Sequence, residues 1–486
     1  MSTSGAGARR RAASRRTVGP DSSLLAGLVL VLLAGVAVVL TMPAQGTGAG
    51  DPDGRRATGA YVDHTTVVCP DEDSRPGARG GTTSVRFGLA PAQGDVRPAD
   101  GGTVRQGPVA SAPGRPLDLP RGELAEVPAA GGPVAEADGG AAAGLFGARS
   151  DARDRTLAVA SCVTPRAQWW FTGAGAGLDH TSVLLLANVD PGPAVVDLRV
   201  LGPDGEVDTV ATTGITIAPH TVHRVELADI APQTDEVAIS VHANRGRVAA
   251  QVTDGYRRRT TGPSGREWLA GTELPSRTLR VAGLPARSRT STLVVGNPSE
   301  LEAVVELRIA GRSGTFAPSG LEPVTVPPGA VRTLELEDLL PRREAVALRL
   351  RSRVPVVASV RAVSVLDHAY AVPVSPLVGA AAAVLPAGTD RSVQLTAGAV
   401  PAQVSVTSWT ANGEQVDDEQ LSIDPTATRA WSPGRRADYV VVTPGTGPDS
   451  GTVHGAVVYE GEGLATAPLT ALPLRVVRPD VRPATR

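Results

Sequence analysis

The chain has 486 residues, which is enough for about three to five domains of ordinary size. Its formal net charge of −2 argues against bulk electrostatic binding to nucleic acid or to an anionic membrane surface. Aromatic residues make up only 3% of the chain, so its cores must be built from Val, Leu, Ile and Ala. Such cores favour several small β-sandwiches over one large enzyme core.

The N-terminal region predicts a membrane-targeting segment. Residues 1–23 form an Arg-rich tail that is expected to stay in the cytoplasm, and residues 24–42 are an uncharged run. At about 1.5 Å per residue, a helix of that length spans about 30 Å of hydrocarbon. We expect an uncleaved signal-anchor; a cleaved signal peptide and a twin-arginine signal at Arg15-Arg16 are the alternatives. All three place the chain after the linker 43–56 outside the cytoplasm, either anchored by a single span or secreted.

The first predicted module, residues 57–165, is β-rich and has Gly-, Ala- and Pro-rich loops. Residues 85–89 and 157–162 have the composition of strands, whereas residues 90–150 are either strands with long loops or partly disordered. Cys69 and Cys162 are the only cysteines of the chain. An even number of cysteines in an oxidising compartment predicts a disulfide, which would join the two ends of this module. A reactive thiol or a metal site is the minor alternative.

The second predicted module, residues 166–265, begins with the densest aromatic cluster of the chain, Trp169-Trp170-Phe171. Tryptophan faces stack well on sugar rings, so Trp169 and Trp170 are possible ligand contacts. The other interpretation is that one ring packs at the junction of the first two modules. The glycine-rich run 173–177 lacks the Lys and the following helix of a phosphate loop, and it is interpreted as a flexible link.

A third predicted module, residues 266–375, repeats the second with an offset of 109 residues. Residues 188–241 align with 297–350 without a gap, and 17 of the 54 positions are identical, which indicates an internal repeat. Val196, Leu198 and Val200 alternate with polar residues, which predicts a strand with one buried face. Further strands follow at a spacing of about 8–12 residues, the pattern of a β-sandwich.

Residues 376–478 predict a divergent β-sandwich repeat, followed by a tail at 479–486. Val404 and Val406, with the turn at Asn412-Gly413, resemble the corresponding strand and turn of the second module. The predicted fold is therefore all-β, with tandem Ig-like β-sandwich modules after one N-terminal transmembrane helix.

No motif in the chain predicts an assembled catalytic site or a cofactor site. His220 and His223 have H-x-x-H spacing, but the repeat maps them onto a turn that enters a strand, which disfavours a metal site. Three Asp-His pairs lack a nucleophile elbow, and the first two of them, which both lie just before a predicted strand, are interpreted as turn or strand-entry residues. The three pairs are Asp63-His64, Asp179-His180 and Asp367-His368. We expect no catalytic residue, no metal and no cofactor.

The order of several short elements resembles one known family. The elements are Val68-Cys69-Pro70, Cys162, residues 169–175, Leu186-Ala187-Asn188, residues 201–207 and residues 246–250. In this order they resemble an actinobacterial family of secreted or membrane proteins catalogued as domain of unknown function 5719. The resemblance covers most of the chain after the membrane segment. It implies an envelope location and no established activity, and it supplies no catalytic residues.

The sequence therefore predicts a non-catalytic, membrane-anchored extracytoplasmic protein of the cell envelope that acts as an interaction or scaffold array. One alternative is a cell-wall carbohydrate-binding protein that uses Trp169 or Trp170. Another is an accessory subunit of an envelope glycosylation or polymer-assembly enzyme. The expected partners are the membrane, through the N-terminal helix, and an unidentified envelope protein or cell-wall glycan, but no nucleic acid.

Overall fold

A computed structural model describes residues 60–69, 71, 81–92, 101–209, 212–257, 265–341, 343–447, 450–461 and 463–476. These residues belong to one compact unit that spans residues 59–478. The predicted tail 1–23, transmembrane segment 24–42, linker 43–56 and tail 479–486 lie outside the described residues. Within the described part of the chain, no helix has the length and the apolar character needed to span a membrane.

The described residues are almost entirely β, as predicted, and their strands group into four modules of the same design. Each module has two antiparallel sheets packed face to face on a hydrophobic core. We call the sheet that contains the first strand of a module sheet A, and the sheet that contains its second strand sheet B. A short strand, β1 (Ala60–Tyr61), precedes the first module.

Module one holds the predicted disulfide, and its described residues give it the following elements. The strands are β2 (His64–Val68), β3 (Gly81–Leu89), β4 (Thr103–Pro108), β5 (Arg115–Leu117), β6 (Leu124–Val127), β7 (Pro133–Asp138), β8 (Leu145–Arg153) and β9 (Thr156–Ser161), with a 3-10 turn at Gly139–Ala141. Sheet A has the order β2-β7-β4-β5 and sheet B the order β6-β3-β8-β9. The disulfide between Cys69 and Cys162 is confirmed, and residues 101–150 consist of strands and short turns.

Module two has the same arrangement of strands. They are β10 (Gln168–Ala174), β11 (His180–Asn188), β12 (Ala194–Gly202), β13 (Gly205–Glu206), β14 (Ile215–Ile217), β15 (Thr221–Glu226), β16 (Val237–Arg245), β17 (Ala249–Tyr256) and β18 (Gly265–Leu269), with helix α1 (Leu227–Ile230). Sheet A is β10-β16-β12-β13 with β14 beside β12, and sheet B is β15-β11-β17-β18. Because β18 pairs with β17, the boundary between modules two and three lies after residue 269 rather than after 265.

Module three differs from module two in one long strand. Its strands are β19 (Ser276–Val281), β20 (Thr290–Gly296), β21 (Ala303–Gly311), β22 (Gly314–Phe316), β23 (Val324–Val326), β24 (Val331–Glu335), β25 (Ala347–Val363) and β26 (His368–Ala371). The first half of β25 pairs with β19 and β21 in sheet A. Its second half pairs with β20 and β26 in sheet B, where β24 also pairs with β20. The strand β25 thus corresponds to β16 and β17 joined without a turn.

Module four completes the series. Its strands are β27 (Ala381–Val384), β28 (Asp390–Ala397), β29 (Ala402–Trp409), β30 (Gln415–Ile423), β31 (Thr428–Trp431), β32 (Tyr439–Pro444), β33 (Val453–Glu460), β34 (Leu464–Pro468) and β35 (Thr470–Ala471), and β36 (Arg475–Val476) follows. Sheet A is β30-β29-β32-β27-β35 and sheet B is β31-β28-β33-β34. The predicted strands around Val404 and Val406 and the turn at Asn412-Gly413 are confirmed.

The four modules form a closed ring. The last strands of their B sheets contact one another in cyclic order: β9 with β18, β18 with β26, β26 with β34, and β34 with β9. The two ends of the described chain meet where β1 pairs with β36, with Tyr61 opposite Arg475. The guanidinium of Arg475 donates a hydrogen bond of 2.8 Å to the Tyr61 hydroxyl. We call β9, β18, β26 and β34 the inner strands, because they surround the ring axis.

Each module packs sheet A against sheet B of the next module. Val134 and Ala249 share a cluster between modules one and two, and Trp170 and Val294 share one between modules two and three. Modules three and four are joined by a hydrogen bond of 2.8 Å from the Thr428 hydroxyl to the Ala310 carbonyl. Aromatic residues of module four pack on module one to close the ring, as in the contact of Tyr439 with Phe146.

The packing of each module on the next explains a continuous apolar run in the sequence. Residues 183–187 read Val-Leu-Leu-Leu-Ala, and all of them are buried, because β11 has the core of module two on one face and module one on the other. By contrast, β21 alternates between buried and exposed positions, as predicted for a strand with one buried face. The sequence repeat thus defines the sandwiches, and the runs buried on both faces mark where one sandwich packs on the next.

A buried asparagine fixes the same loop in modules two and three. The amide of Asn188 donates to the carbonyls of Gly192, Ile217 and Ala218 at 2.9, 3.0 and 3.2 Å. In module three, 109 residues later, the amide of Asn297 donates to the carbonyls of Leu301, Val326 and Pro327 at 2.8, 3.0 and 3.2 Å. Both side chains are fully buried. The repeat found in the sequence is therefore also a repeat of hydrogen-bond geometry.

Replacing Asn297 with alanine is expected to lower the free energy of unfolding by roughly 2–4 kcal/mol, because buried carbonyls that lose their donor are costly. Denaturant unfolding of the full chain measures the change. Asn412→Ala, at an exposed turn, is the matched control and should change stability by less than about 0.5 kcal/mol. An Asn297 variant as stable as this control would contradict the structural role.

Candidate ligand cavity on the ring axis

At one end of the ring, the inner strands converge on the carboxyl group of Asp367. Asp367 Oδ2 accepts hydrogen bonds of 2.8 Å from the backbone N–H of Leu157 in module one and of Leu464 in module four. Its Oδ1 accepts the N–H of His368 at 3.0 Å. Module two approaches at Gly265, where a Cβ would lie 2.1 Å from Asp367 Oδ1, so that only glycine fits. Asp367 therefore links the starts of all the inner strands.

A second buried carboxyl group, Glu267, follows on β18. Its Oε1 accepts the backbone N–H of Val159 at 3.1 Å and of Trp268 at 2.7 Å, whereas Oε2 has no hydrogen-bond partner among the described residues. Burial, together with the charge of Asp367, raises the pKa of Glu267 well above its ordinary value. Burial also raises the pKa of Asp367 to about 7. Protons are therefore held more tightly by these two groups in the folded ring than in the unfolded chain.

These pKa shifts predict that the two carboxyl groups stabilise the ring less as the pH rises. A carboxyl group whose pKa is raised on folding stabilises the folded state most at pH values below its pKa in the unfolded chain. That pKa is 3.8 for Asp367 and 4.5 for Glu267. The stabilisation is lost at higher pH. The contribution of these two groups to the free energy of unfolding should therefore fall between about pH 5 and pH 8, so wild type should lose more stability over this range than Glu267→Gln. Denaturant unfolding at both pH values measures this. An unchanged pH dependence in the variant would contradict the assignment.

At the other end of the ring, the segments that leave the inner strands enclose a cavity of about 830 Å³. Its lining includes residues 162–166, 268–274, 373–377 and 467–473, so every module contributes to the wall. Val62 and His64 add the start of module one. The volume lies within the range of ordinary ligand sites, about 300–1,000 Å³. The cavity exists only because the ring is closed.

The cavity has apolar walls and carries several cationic groups. Leu274 lies at its edge with 60% of its surface exposed. Arg166 stacks on the Trp169 ring with its guanidinium carbon 3.8 Å from the ring centroid, and burial lowers its pKa. Arg280 has no side-chain hydrogen bond or ion pair within the described part of the chain, and burial together with Arg349 lowers its pKa. Such a wall suits a ligand that combines apolar surface with negative charge.

The acid in the wall is Glu273, whose carboxylate accepts a hydrogen bond of 2.8 Å from the Ser375 hydroxyl. His454 Nδ1 lies 2.8 Å from the carbonyl of Val374. Burial lowers the pKa of His454 to about 4, so its ring is neutral at physiological pH. These groups can orient a ligand by hydrogen bonding.

Two of the Asp-His pairs contribute to a buried polar network between modules two and three. His180 Nδ1 lies 3.1 Å from Asp254 Oδ2, and the hydroxyls of Ser182 and Tyr370 each donate to Asp254 at 2.6 Å. The His368 ring packs beside them, 5.5 Å from the Tyr370 ring. Because Ser182 donates to the aspartate rather than to a histidine, the group does not form a nucleophile–base pair.

The charges of this network balance. Burial lowers the pKa of His180, but the carboxylates of Asp254 and Glu236 outweigh it and raise the pKa to about 9. Arg361 donates to Glu236 at 2.6 Å and stacks on Tyr256, with its guanidinium carbon 4.1 Å from the ring centroid. Two cations thus face two carboxylates in a site whose side chains are buried. The sequence does not reveal this group, because Asp254, Glu236 and Arg361 lie far from the histidines along the chain.

The tryptophans proposed as ligand contacts lie inside the protein. Trp169 is fully buried in the core of module two, and its Nε1 donates to the Val248 carbonyl at 3.0 Å. Trp170 is 7% exposed and packs between modules two and three. A sugar ring has no access to either indole, so both residues are corrected from possible ligand contacts to packing residues. Trp170 lies at the junction of modules two and three, not of modules one and two.

The glycine-rich run 173–177 is also corrected. It is not a link between modules, since Gly173 lies within β10 and the following residues pack inside module two. A Cβ at Gly175 would lie 1.6 Å from the Asp235 carbonyl oxygen. These glycines therefore allow the backbone to approach a neighbouring loop closely.

The H-x-x-H pair lies at a turn and a strand, as the repeat indicates. His220 has a φ of 54°, and Gly329 at the corresponding position of module three has a φ of 66°. His223 is exposed on β15. Among the described residues, no group of three or more His, Cys, Asp or Glu side chains is placed to hold a metal ion.

The model of a family described as "Family of unknown function (DUF5719)" matches residues 121–434. The match includes most of module one after β5, all of modules two and three, and module four as far as β31. No curated protein matches the chain.

Proposed function

We propose that this chain, which belongs to the family of unknown function DUF5719, is a non-catalytic, membrane-anchored protein of the extracytoplasmic cell envelope. In this proposal it binds its partner at the axial cavity. The observation that carries the proposal is that the wall of the cavity is built from the segments that leave the inner strands of all four modules. A ring that closes around such a site suits a binding protein, because the walls are fixed before the partner arrives.

The disulfide supports the proposed location. Disulfides form and persist in oxidising compartments, and Cys69 and Cys162 are paired and buried in module one. The uncharged run 24–42, after an Arg-rich tail, supports a single membrane anchor with the ring outside. An actinobacterial source is part of this proposal, as is an Ig-like character of each sandwich, which the antiparallel pairing of two sheets over a common core supports.

Site-specific photo-cross-linking in native membranes tests the proposed function. A photoreactive residue at Leu274, on the edge of the cavity, is expected to give one specific cross-linked product. The same residue at Val304, exposed on β21 of module three, is the matched control and should not give that product. The same cross-linked products from both positions, or no product from Leu274, would overturn the proposal that the partner binds at the cavity. A product that contains a glycosyltransferase or polymer-assembly enzyme would identify the chain as its accessory subunit.

Carbohydrate binding is the second candidate, and it is favoured by the mixed apolar and hydrogen-bonding wall of the cavity. In this version Trp169 and Trp170 take no part, since both are buried. Co-sedimentation of the protein with purified cell-wall polymer is expected to be saturable and to be lost in Leu274→Asp but kept in Val304→Asp. Equal binding by the two variants would exclude the cavity as the carbohydrate site.

A further inference from the structure

Sheet A of module three carries three arginines side by side on adjacent strands. Arg280 on β19 is directly opposite Arg349 on β25, and Arg349 is directly opposite Arg308 on β21. Residues that are opposite each other in a sheet point to the same face, and adjacent strands lie about 4.8 Å apart. The three side chains therefore form a cationic row about 10 Å long between the outer Cα atoms. We call this row the arginine ladder.

The arginine ladder has no acidic partner in the described part of the chain. None of the three guanidinium groups makes a side-chain hydrogen bond or an ion pair there, and Arg349 Nε is buried without a partner. Glu306, two residues from Arg308 on β21, is opposite Arg351 and forms no ion pair with the ladder. Like charges directly opposite each other destabilise a sheet, and a buried unpaired donor adds to the cost. An anion bound along the ladder would remove both penalties.

The repeat shows that the fold does not require this row. At the same register positions of module two stand Trp170, Ser240 and Arg199. The single arginine in that set is neutralised, since Arg199 Nε donates to Glu206 at 2.8 Å. Compared with module two, module three therefore has arginines in place of a tryptophan and a serine. None of the three arginines at these positions has an acidic partner in the described part of the chain.

The position of the arginine ladder connects it to the cavity. Arg280 lines the cavity wall, Arg349 is half-buried in the middle, and Arg308 is exposed, all on the face of sheet A that is turned toward module four. The row thus runs from the cavity to the surface of the ring. An extended ligand can follow it, whereas a small ion would use only part of it.

We propose that the arginine ladder of Arg280, Arg349 and Arg308 binds a linear anionic polymer of the cell envelope through its phosphate or carboxylate groups. Guanidinium groups bind both anions through paired hydrogen bonds, and their charge persists at every physiological pH. The recognition is local, because the chain as a whole has a net charge of −2. This inference rests on the proposed function and names the chemical class of the ligand.

Binding of defined polyanions to the full-length protein in a neutral detergent tests the inference. The probes are polyphosphate and polygalacturonate, with neutral dextran as the uncharged control, at about 0.15 M salt to suppress non-specific attraction. The wild-type protein is expected to bind at least one of the two polyanions and not dextran. The relative affinity for the two polyanions shows whether phosphate or carboxylate is preferred. The triple variant Arg280→Gln, Arg308→Gln, Arg349→Gln should bind about tenfold more weakly or worse.

Arg199→Gln is the matched control, since Arg199 occupies the position of Arg308 in module two and already has an acidic partner. It should bind like the wild type. Loss of like-charge repulsion should leave the melting temperature of the triple variant unchanged or higher. If the triple variant does not fold, Arg308→Gln, at an exposed position, takes its place with a smaller expected loss. Wild-type affinity in the folded ladder variant, equal losses in the Arg199 control, or no polyanion binding by the wild type would each overturn the inference.

The experiments distinguish failure of the proposed partner binding at the cavity from failure of the proposed polyanion binding along the arginine ladder. A specific cross-linked product from Leu274 without any polyanion binding would remove the arginine ladder as a site and leave the proposed function in place. Polyanion binding that depends on the ladder, without a specific product from Leu274, would keep the ladder and remove partner binding at the cavity edge.

Discussion

Replacing Asp367 with alanine is expected to lower the free energy of unfolding by roughly 3–6 kcal/mol, the largest effect of any single substitution proposed for this protein. The reason is that three buried backbone N–H groups, those of Leu157, Leu464 and His368, would lose their acceptor at once. Each unsatisfied buried donor costs about 1–3 kcal/mol. Two of these donors belong to modules one and four, so the loss also weakens the contacts that hold the ring together.

Denaturant unfolding of Asp367→Ala near pH 6, with Asp418→Ala at an exposed position as the control, measures this effect. Asp367→Asn should lose less stability than the alanine variant, because one amide oxygen can still accept the N–H groups of Leu157 and Leu464, which both use Oδ2. Asp367→Ala with the stability of the control variant would show that the carboxyl group of Asp367 does not link the inner strands.

Removing the disulfide is expected to have the second large effect. Cys69 and Cys162 close a loop with a sequence separation of 93 residues, which corresponds to roughly 4–5 kcal/mol in the chain-entropy description of cross-links. Both cysteines belong to the core of module one, and Cys162 directly follows the inner strand β9. The double variant Cys69→Ala, Cys162→Ala should therefore unfold at a clearly lower denaturant concentration.

The comparison of oxidised and reduced wild-type protein provides an independent measurement of the same quantity. Reductant should lower the stability of the wild type to about that of the double variant and should leave the double variant unchanged. A wild type whose unfolding does not respond to complete reduction would contradict the expected contribution of the bridge.

The strands and the repeat were predictable, because they are determined by local patterns. The alternation of Val196, Leu198 and Val200 places one face of β12 in the core, and the structure shows that burial. Asn188 and Asn297 align with an offset of 109 residues and make matching hydrogen bonds. A sequence repeat of this kind reports what each sandwich must contain for its own fold.

Ring closure was not predictable, since it depends on segments far apart in the chain. Tyr61 and Arg475 are separated by 414 positions, and neither of the two short strands has a sequence pattern that predicts their pairing. A weak signal did exist at residues 183–187, where a continuous apolar run on a sandwich strand indicates a partner on the second face. The burial of Trp170 has the same origin, because the surface that covers it belongs to the next module.

The candidate site was hidden for a related reason. The cavity is lined by segments of every module, and Arg280 and Arg349 become neighbours only through the pairing of β19 with β25. The Asp-His pairs, in contrast, were visible in the sequence, but their neighbours in the chain are not their partners in the structure. The His180 ring is hydrogen-bonded to Asp254. Asp367 accepts hydrogen bonds from backbone N–H groups of the inner strands and not from a histidine side chain.

The distance between modules one and four tests the closed ring most directly. Spin labels at Glu126→Cys and Asn412→Cys, both exposed, flank the hydrogen bond of 2.9 Å from the Leu124 N–H to the Ala411 carbonyl. In the closed ring the labels should lie within about 25 Å of each other, since each is one or two residues of about 3.3 Å from that bond. In an open string, two intervening sandwiches of about 30 Å each would separate them by about 60 Å or more, and that result would contradict the ring.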